Sequence, residues 1–504
     1  MLLHRTFIRT AKRRGSHLAI KDAFRNTELS YTRLLIACLM FAHRLKKLDD
    51  GYVGIMLPTS AGAMISVIAC LFAGKVPVMI NYSTGAEANI RFAQRKCNFK
   101  TVITAHTVLE KVGCPEIEGM VYADDILASL TKWEKLRAAA LASLPATALS
   151  RIVAGGKDHD TSVILFTSGS EKEPKAVELT HRNLLSNFDA ICKRIDFTED
   201  DSIMAILPFF HVMGYNTNIW LPMLKGMSVI TYPNPLEFKT VASLIERDKP
   251  TALIGTPYFL MNYLKQASAT GLASLRFVVV GADKAPEWLH EAFMEQYGLE
   301  LLEGYGATET SPVISVNAPG ANKPGSVGRP LEGVEVRIVD VASGMEVGVG
   351  DEGKILVRGD LVMKGYFDDL EETALKVEDG WYETGDMGVL DEEGFLWHHG
   401  RLKRFVKVAG EMISLVHVEE VLNHHLPEEV EVCVVELPDA KKGATIVAAI
   451  TTTVDEQKLK SQMKRTLPPL AIPRQFVVVD ELPKMGSGKI DFRTTTLLVQ
   501  DLLS

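Results

Sequence analysis

The sequence predicts an α/β protein: a large N-terminal lobe of stacked αβ subdomains with a small barrel-like β subdomain, then a small α+β C-terminal domain. Three observations carry this. Short apolar strands alternate with helical stretches as far as Gly325, a rhythm that calls for a largely parallel sheet with helices on both faces. Past Gly325 the strands are short and separated by glycines and acidic turns, which is antiparallel texture. Near Gly400-Arg-Leu-Lys-Arg404 the chain turns basic, and a compact α+β stretch follows.

In order, strands are expected at 18–20, 52–57, 76–80 and 101–104. Between the first two, 31–45 has helical periodicity and Ser30 is a suitable N-cap. Further strands are expected at 162–166, 202–207, 227–232, 252–255 and 276–280. The antiparallel part spans 335–339, 353–358, 389–390 and 395–397. The last stretch reads as a helix at 418–425, strands at 430–437 and 446–452, and a helix at 455–467. The domain boundary falls at Leu402/Lys403, giving domains 1–402 and 403–504.

The chain has 504 residues, 47% of them hydrophobic and 23% charged. That is enough apolar material for a sizeable core, so wholesale disorder is excluded. The formal net charge is −8, which argues against a general nucleic-acid binder. Cysteines 38, 70, 97, 114, 192 and 433 include no C-x-x-C pair, so neither a thiolate zinc site nor a disulfide framework is expected. The longest predominantly apolar run, 63–73, is shorter than the about 20 residues a bilayer span needs, and reads as a buried helix. The expected setting is cytoplasmic. Arg5, Arg9, Lys12, Arg13 and Arg14 leave peripheral contact with the inner face of a membrane open.

Five segments bear chemistry. Leu165-Phe-Thr-Ser-Gly-Ser-Glu-Lys-Glu-Pro-Lys175 runs from a strand into a loop of small hydroxyl residues with two lysines. Such a loop can turn N–H groups, the hydroxyls of Thr167, Ser168 and Ser170, and Lys175 onto a polyphosphate; it can equally be a polar surface turn. In Glu303-Gly-Tyr-Gly-Ala-Thr-Glu-Thr310, Gly304 and Gly306 permit close backbone approach. There Tyr305 can stack on a base, and Glu309 can offer an oxygen to Mg²⁺; a Gly-rich turn is the plainer alternative. In Trp381-Tyr-Glu-Thr-Gly-Asp386, Asp386 suits a pair of ribose hydroxyls, or an Asx-turn. Gly400 to Ile413 and Pro483-Lys-Met-Gly-Ser-Gly-Lys-Ile490 read alone as solvated basic loops. The glycines around Lys489 also suit a cation delivered into a site.

Together, in this order and spacing, the five segments resemble the adenylate-forming superfamily of acyl-CoA synthetases, luciferases and adenylation domains. The resemblance covers essentially the whole chain. Leu207-Pro-Phe-Phe-His-Val-Met-Gly214, Val280-Gly-Ala-Asp-Lys284 and the stretch from Gly400 to Leu415 resemble most the acyl-acyl-carrier-protein synthetases.

The resemblance implies ATP and Mg²⁺ as cofactors. The loop from Thr167 through Gly169 to Lys175 would close over phosphates. Thr308 would touch them, Glu309 would hold Mg²⁺, and Gly304, Tyr305 and Gly306 would line the adenine. Asp386 would take the ribose, with Arg401 beside it. Lys489 would bridge carboxylate and α-phosphate from a mobile C-terminal domain that turns about Lys403, after which Lys407 and Gly410 would face the site. His211 would border the acyl entrance, and Phe209, Trp220, Gly281 and Ala282 would line the pocket. The implied reaction joins a fatty acid to the thiol of acyl carrier protein. The alternatives are a fatty acyl-CoA synthetase, a fatty acyl-AMP ligase, or a non-catalytic acyl- or nucleotide-binding relative.

Two departures stand out. Lys172 and Ala176 occupy positions where most members have glycine, and Lys403 stands where many have Asp, as the acyl-carrier branch commonly does. Around the hinge, Lys403, Arg404, Lys407, Lys441, Lys442, Lys460, Lys464, Arg465 and Arg474 form a basic set. It would steer an acidic carrier, suit the phosphates of CoA, or simply be solvated.

Overall fold

The structure is a computed structural model that describes residues 1–167, 174–408, 411–427, 430–439, 443–484 and 490–503. The fold is α/β, in two compact units: residues 1–335 with 357–382, and residues 336–356 with 383–504.

The larger unit holds two sheets. In one, Ser228–Thr231, Ser202–Ala205, Ala252–Gly255, Phe277–Val280 and Leu301–Gly306 run parallel. The antiparallel strands Val313–Val316 and Arg329–Pro330 extend its far edge. In the other, Met120–Tyr122, Val102–Thr104, Tyr52–Ile55, Val76–Met79 and Thr161–Phe166 are parallel. Ala176–Thr180 and Gly365–Tyr366 then close that edge antiparallel. The central parallel strands are largely buried on both faces, which is why they read as predominantly apolar runs.

Helix Ala61–Ala73 contains the long apolar run. It is capped by Ser60, ends at Gly74 with φ 78, and is buried on nearly every residue. The basic N-terminus forms helix Leu3–Arg14, an element the sequence pattern did not flag. Arg13 and Arg14 pair with Glu199, and Arg14 is buried. Among the described residues no helix is long and apolar enough to cross a membrane.

In the smaller unit, Val432–Asp439 and Gly443–Ile450 pair antiparallel, and Gln475–Val478 adds parallel. Period-2 alternation splits its core. Val432, Val434, Ile446 and Ala448 pack with residues of helices Leu415–His425 and Glu456–Met463. Cys433, Val435, Val447 and Ala449 pack with Val499 of helix Phe492–Leu503. The helix expected at 455–467 stops at Met463, and Pro468 follows closely.

Candidate active site

The phosphate-loop candidate joins the two antiparallel strands of a hairpin, Thr161–Phe166 and Ala176–Thr180. Phe166 pairs with Ala176, and the N–H of Thr167 donates to the Lys175 carbonyl at 3.0 Å. Ser168, Gly169, Ser170 and Lys172 lie outside the described residues. Beside the hairpin, Tyr366 pairs with Val177, and the Phe367 N–H donates to the Ala176 carbonyl at 2.7 Å. The same edge receives the second segment, because the Met363 N–H donates to the Glu309 carbonyl at 2.7 Å.

Three elements far apart in sequence therefore meet. The Tyr366 hydroxyl donates to Glu309 Oε1 at 2.9 Å. The Lys175 ammonium lies 5.2 Å from the Tyr366 ring centroid and pairs with the Glu372 carboxylate. Glu309 and Tyr366 are both buried. Burial, and then the charge of Glu309, push the Tyr366 phenol well above its ordinary range, so it stays protonated and can donate. A carboxylate this buried needs such a partner. Tyr366 and Glu372 belong to no segment singled out from sequence. The signal that could have found Tyr366 is the Gly365-Tyr366 pair, where Gly365 has φ 151.

Tyr305 is buried on strand Leu301–Gly306, opposite Ser315. Thr308 and Glu309 lie in the single 3₁₀ turn that follows. Gly306 packs so closely on the next strand that a Cβ would stand 1.8 Å from the Pro312 carbonyl oxygen. At the start of the segment, Glu303 is buried. It accepts from the Ala285 N–H at 3.2 Å and the Gly325 N–H at 3.3 Å, and pairs with His290 at 3.0 Å. Glu303 thus ties the 281–285 loop to the strand carrying Tyr305.

Gly281 adjoins Gly304, whose carbonyl oxygen would lie 3.2 Å from a Cβ there, and Met213 Sδ would lie 3.6 Å away. This brings the tract after His211 close to the glycines of the second segment. His211 is partly exposed at the N-cap position of the helical turn Val212–Tyr215, with its ring 4.6 Å from that of Phe210. Phe209 and Trp220 are fully buried, and Trp220 ends a π-helical turn, Asn216–Trp220. Ala282 is exposed, with φ 74.

The third segment belongs to the smaller unit. Asp386 pairs across strands with Arg401. Its carboxylate lies 3.6 Å from Arg401 Nε and 3.8 Å from His398 Nε2, and it is buried. Gly385 takes φ 76, and the Asp386 N–H donates to Thr384 Oγ1 at 3.1 Å, so the turn aims the carboxylate. Lys403 is exposed in the short 3₁₀ turn Leu402–Arg404. Its neighbour Arg404 is held by Glu419 at 2.5 Å and by the Val434 carbonyl at 2.9 Å. Lys407 lies on strand Phe405–Val408. Gly410, Lys441, Lys442 and Lys489 lie outside the described residues.

Glu309, sharing Tyr366 with Lys175, suits Mg²⁺, which needs few protein carboxylates when phosphates and water supply its other oxygens. Among the described residues no cluster of three or more His, Cys, Asp or Glu forms a metal cage.

The chain matches the AMP-binding enzyme family over residues 7–367 and the AMP-binding enzyme C-terminal domain over 417–489. It is 30% identical over 492 residues to a long-chain-fatty-acid–CoA ligase of Bacillus subtilis (strain 168), covering 91% of this chain and 87% of that protein. A medium-chain fatty-acid–CoA ligase of Escherichia coli (strain K12) is 29% identical over 521 residues, covering 95% and 87%. The crystal structure of ATP-bound MatB from Rhodopseudomonas palustris shares the fold, with a TM-score of 0.86 at 24% identity over the whole of both chains.

Proposed function

The chain belongs to the AMP-binding enzyme family, and from that premise we propose that it activates a fatty acid with ATP and passes the acyl group to a thiol. The observation that carries this reading is the meeting of Lys175, Glu309 and Tyr366 at one sheet edge, in a chain whose relatives are named as fatty-acid–CoA ligases. A fatty carboxylate oxygen attacks the α-phosphorus of ATP, and pyrophosphate leaves. The thiol sulfur then attacks the acyl carbon, AMP leaves, and the thiol proton passes to solvent.

The reactants are all anionic, so the residues must supply positive charge and orientation. Thr167, Ser168, Gly169, Ser170, Lys175 and Thr308 take the phosphates. Gly304, Tyr305 and Gly306 take the adenine, and Asp386 and Arg401 the ribose. Lys489 takes the carboxylate and α-phosphate. Glu309 would hold Mg²⁺, which supplies Lewis-acid charge neutralisation. His211, Phe209, Trp220, Gly281 and Ala282 shape the acyl site. The functional division is 1–402 and 403–504 with Lys403 as hinge, and Lys407 and Gly410 serve the second half-reaction.

For the acceptor, the names of the relatives support CoA. A second reading, acyl carrier protein, is supported by the lysine at the hinge position 403. Pyrophosphate–ATP exchange tests the core of the proposal: it should depend on added fatty acid. No exchange with any carboxylate would leave a binding role alone. Turnover with CoA as sole acceptor selects the first reading, and turnover that requires acyl carrier protein selects the second.

A further inference from the structure

We propose that Tyr366 is a positioning residue that orients the Glu309 carboxylate for a nucleotide-bound divalent cation and sets the Lys175 ammonium beside it. The inference rests on the nucleotide reading above and assigns a part to a residue outside its roles.

A carboxylate at the end of a Glu side chain rotates through several arrangements, and only some aim an oxygen at a shared cation. Here the Tyr366 hydroxyl, 2.9 Å away, engages Oε1, so Oε2 is the oxygen left to a cation. The backbone of Glu309 is tied to the segment leading into the Tyr366 strand, through the Met363 N–H. Tyr366 is itself immobilised. Its N–H donates to Thr373 Oγ1 at 2.9 Å, its main chain pairs with Val177, and its side chain is buried. The face of the same ring receives the Lys175 ammonium at 5.2 Å, a cation–π contact. One aromatic side chain thus holds an anion at its hydroxyl and a cation over its face. Those are the two charges that a magnesium polyphosphate needs opposite its own. Residues that fix a metal-bound ligand typically change metal affinity by about 10- to 100-fold when removed.

The test is Tyr366→Phe, which removes the hydroxyl and keeps the ring. Mn²⁺ is titrated against the protein saturated with α,β-methylene-ATP, and unbound Mn²⁺ is read by electron paramagnetic resonance. Wild type should hold Mn²⁺ about tenfold more tightly than Tyr366→Phe. Metal-free nucleotide affinity should change little, and the thermal midpoint should fall, since the buried Glu309 carboxylate loses its donor. Glu309→Gln with Tyr366→Phe should be no worse than Glu309→Gln alone, since the tyrosine acts through the carboxylate. Equal Mn²⁺ affinity in wild type and Tyr366→Phe overturns the proposal, as does additivity in the double variant. Wild-type protein that binds no nucleotide overturns the functional reading as well, and so marks the two failures apart.

Discussion

The ammonium of Lys175 is paired with the carboxylate of Glu372, a residue 197 positions further along the chain. Glu372 is preset, because its N–H is held by the Asp369 side chain that caps helix Leu370–Lys376. A polyphosphate approaching Lys175 must compete with this carboxylate. The partners are 19% and 25% exposed, so the pair is worth up to about 1 kcal/mol. Glu372→Gln should therefore tighten ATP binding by roughly fivefold, a factor that corresponds to about 1 kcal/mol, as read by calorimetry. Weaker binding in Glu372→Gln would show that the carboxylate guides the lysine instead of competing for it.

Gly306 permits the Tyr305 strand to turn back upon itself. A Cβ there meets the Pro312 carbonyl oxygen at 1.8 Å, and that oxygen also accepts from the Ala307 N–H and the Thr310 hydroxyl. The neighbour cannot yield without breaking those bonds. Gly306→Ala should cost about 1–3 kcal/mol, as overpacking does, and should abolish fatty-acid-dependent pyrophosphate exchange. A variant with an unchanged urea midpoint would show that the strand pair has room to part.

The division between what sequence revealed and what it hid follows from contact range. Thr167 and Lys175 lie eight positions apart in one hairpin, and the alternation of apolar strand and polar loop exposes it. Glu309 sits in one turn with its glycines. Tyr366 and Glu372 join them only because Gly365–Tyr366 adds to the edge of Ala176–Thr180, and a two-residue strand has no periodicity to read. The charge run at Arg13 and Arg14 reads as open to a membrane surface, and the pairing of both with Glu199 comes from a segment far along the chain. Phe209 and Trp220 are legible as apolar, yet their complete burial depends on elements that pattern alone does not place.

His4 and His181 set an acid limit on stability. Their rings contact edge-on at 5.5 Å, and both are buried. Burial lowers His4 to about 4 and, with the adjoining His4, lowers His181 to about 3. Arg5 and the N-terminal amine add to the lowering, while the Ala154 carbonyl on His4 and Asp158 and Asp160 near His181 oppose it. The unfolded imidazoles keep their ordinary value near 6.5, so the unfolded chain binds protons first as pH falls. The contribution is whole above about pH 6.5 and is lost as pH falls toward about 4 for His4 and about 3 for His181, at roughly 1.4 kcal/mol per pH unit for each ring. Urea midpoints measured between pH 7 and pH 4.5 should fall steeply, and His181→Asn should flatten that slope while lowering stability at pH 7. An equally steep slope in His181→Asn would assign the acid lability to other groups.

On the proposed reading, Lys489 would separate the two half-reactions. Forming acyl-AMP draws a carboxylate onto an α-phosphate, both negative, and a cation between them lowers that barrier where no general base is called for, since the carboxylate is already ionised. Thioester formation starts from an acyl-AMP in which that repulsion is already relieved. Lys489→Ala should therefore abolish fatty-acid-dependent pyrophosphate exchange while sparing thioester formation from supplied acyl-AMP. Removing one preorganised charge contact costs about 100- to 1,000-fold in turnover, which sets the expected loss in the first step. Measuring both steps on one preparation, with Lys489→Arg as the charge-conserving control, distinguishes this from misfolding. Equal losses in both steps would mean that the lysine serves binding common to both, and that no change of the C-terminal domain between them is needed.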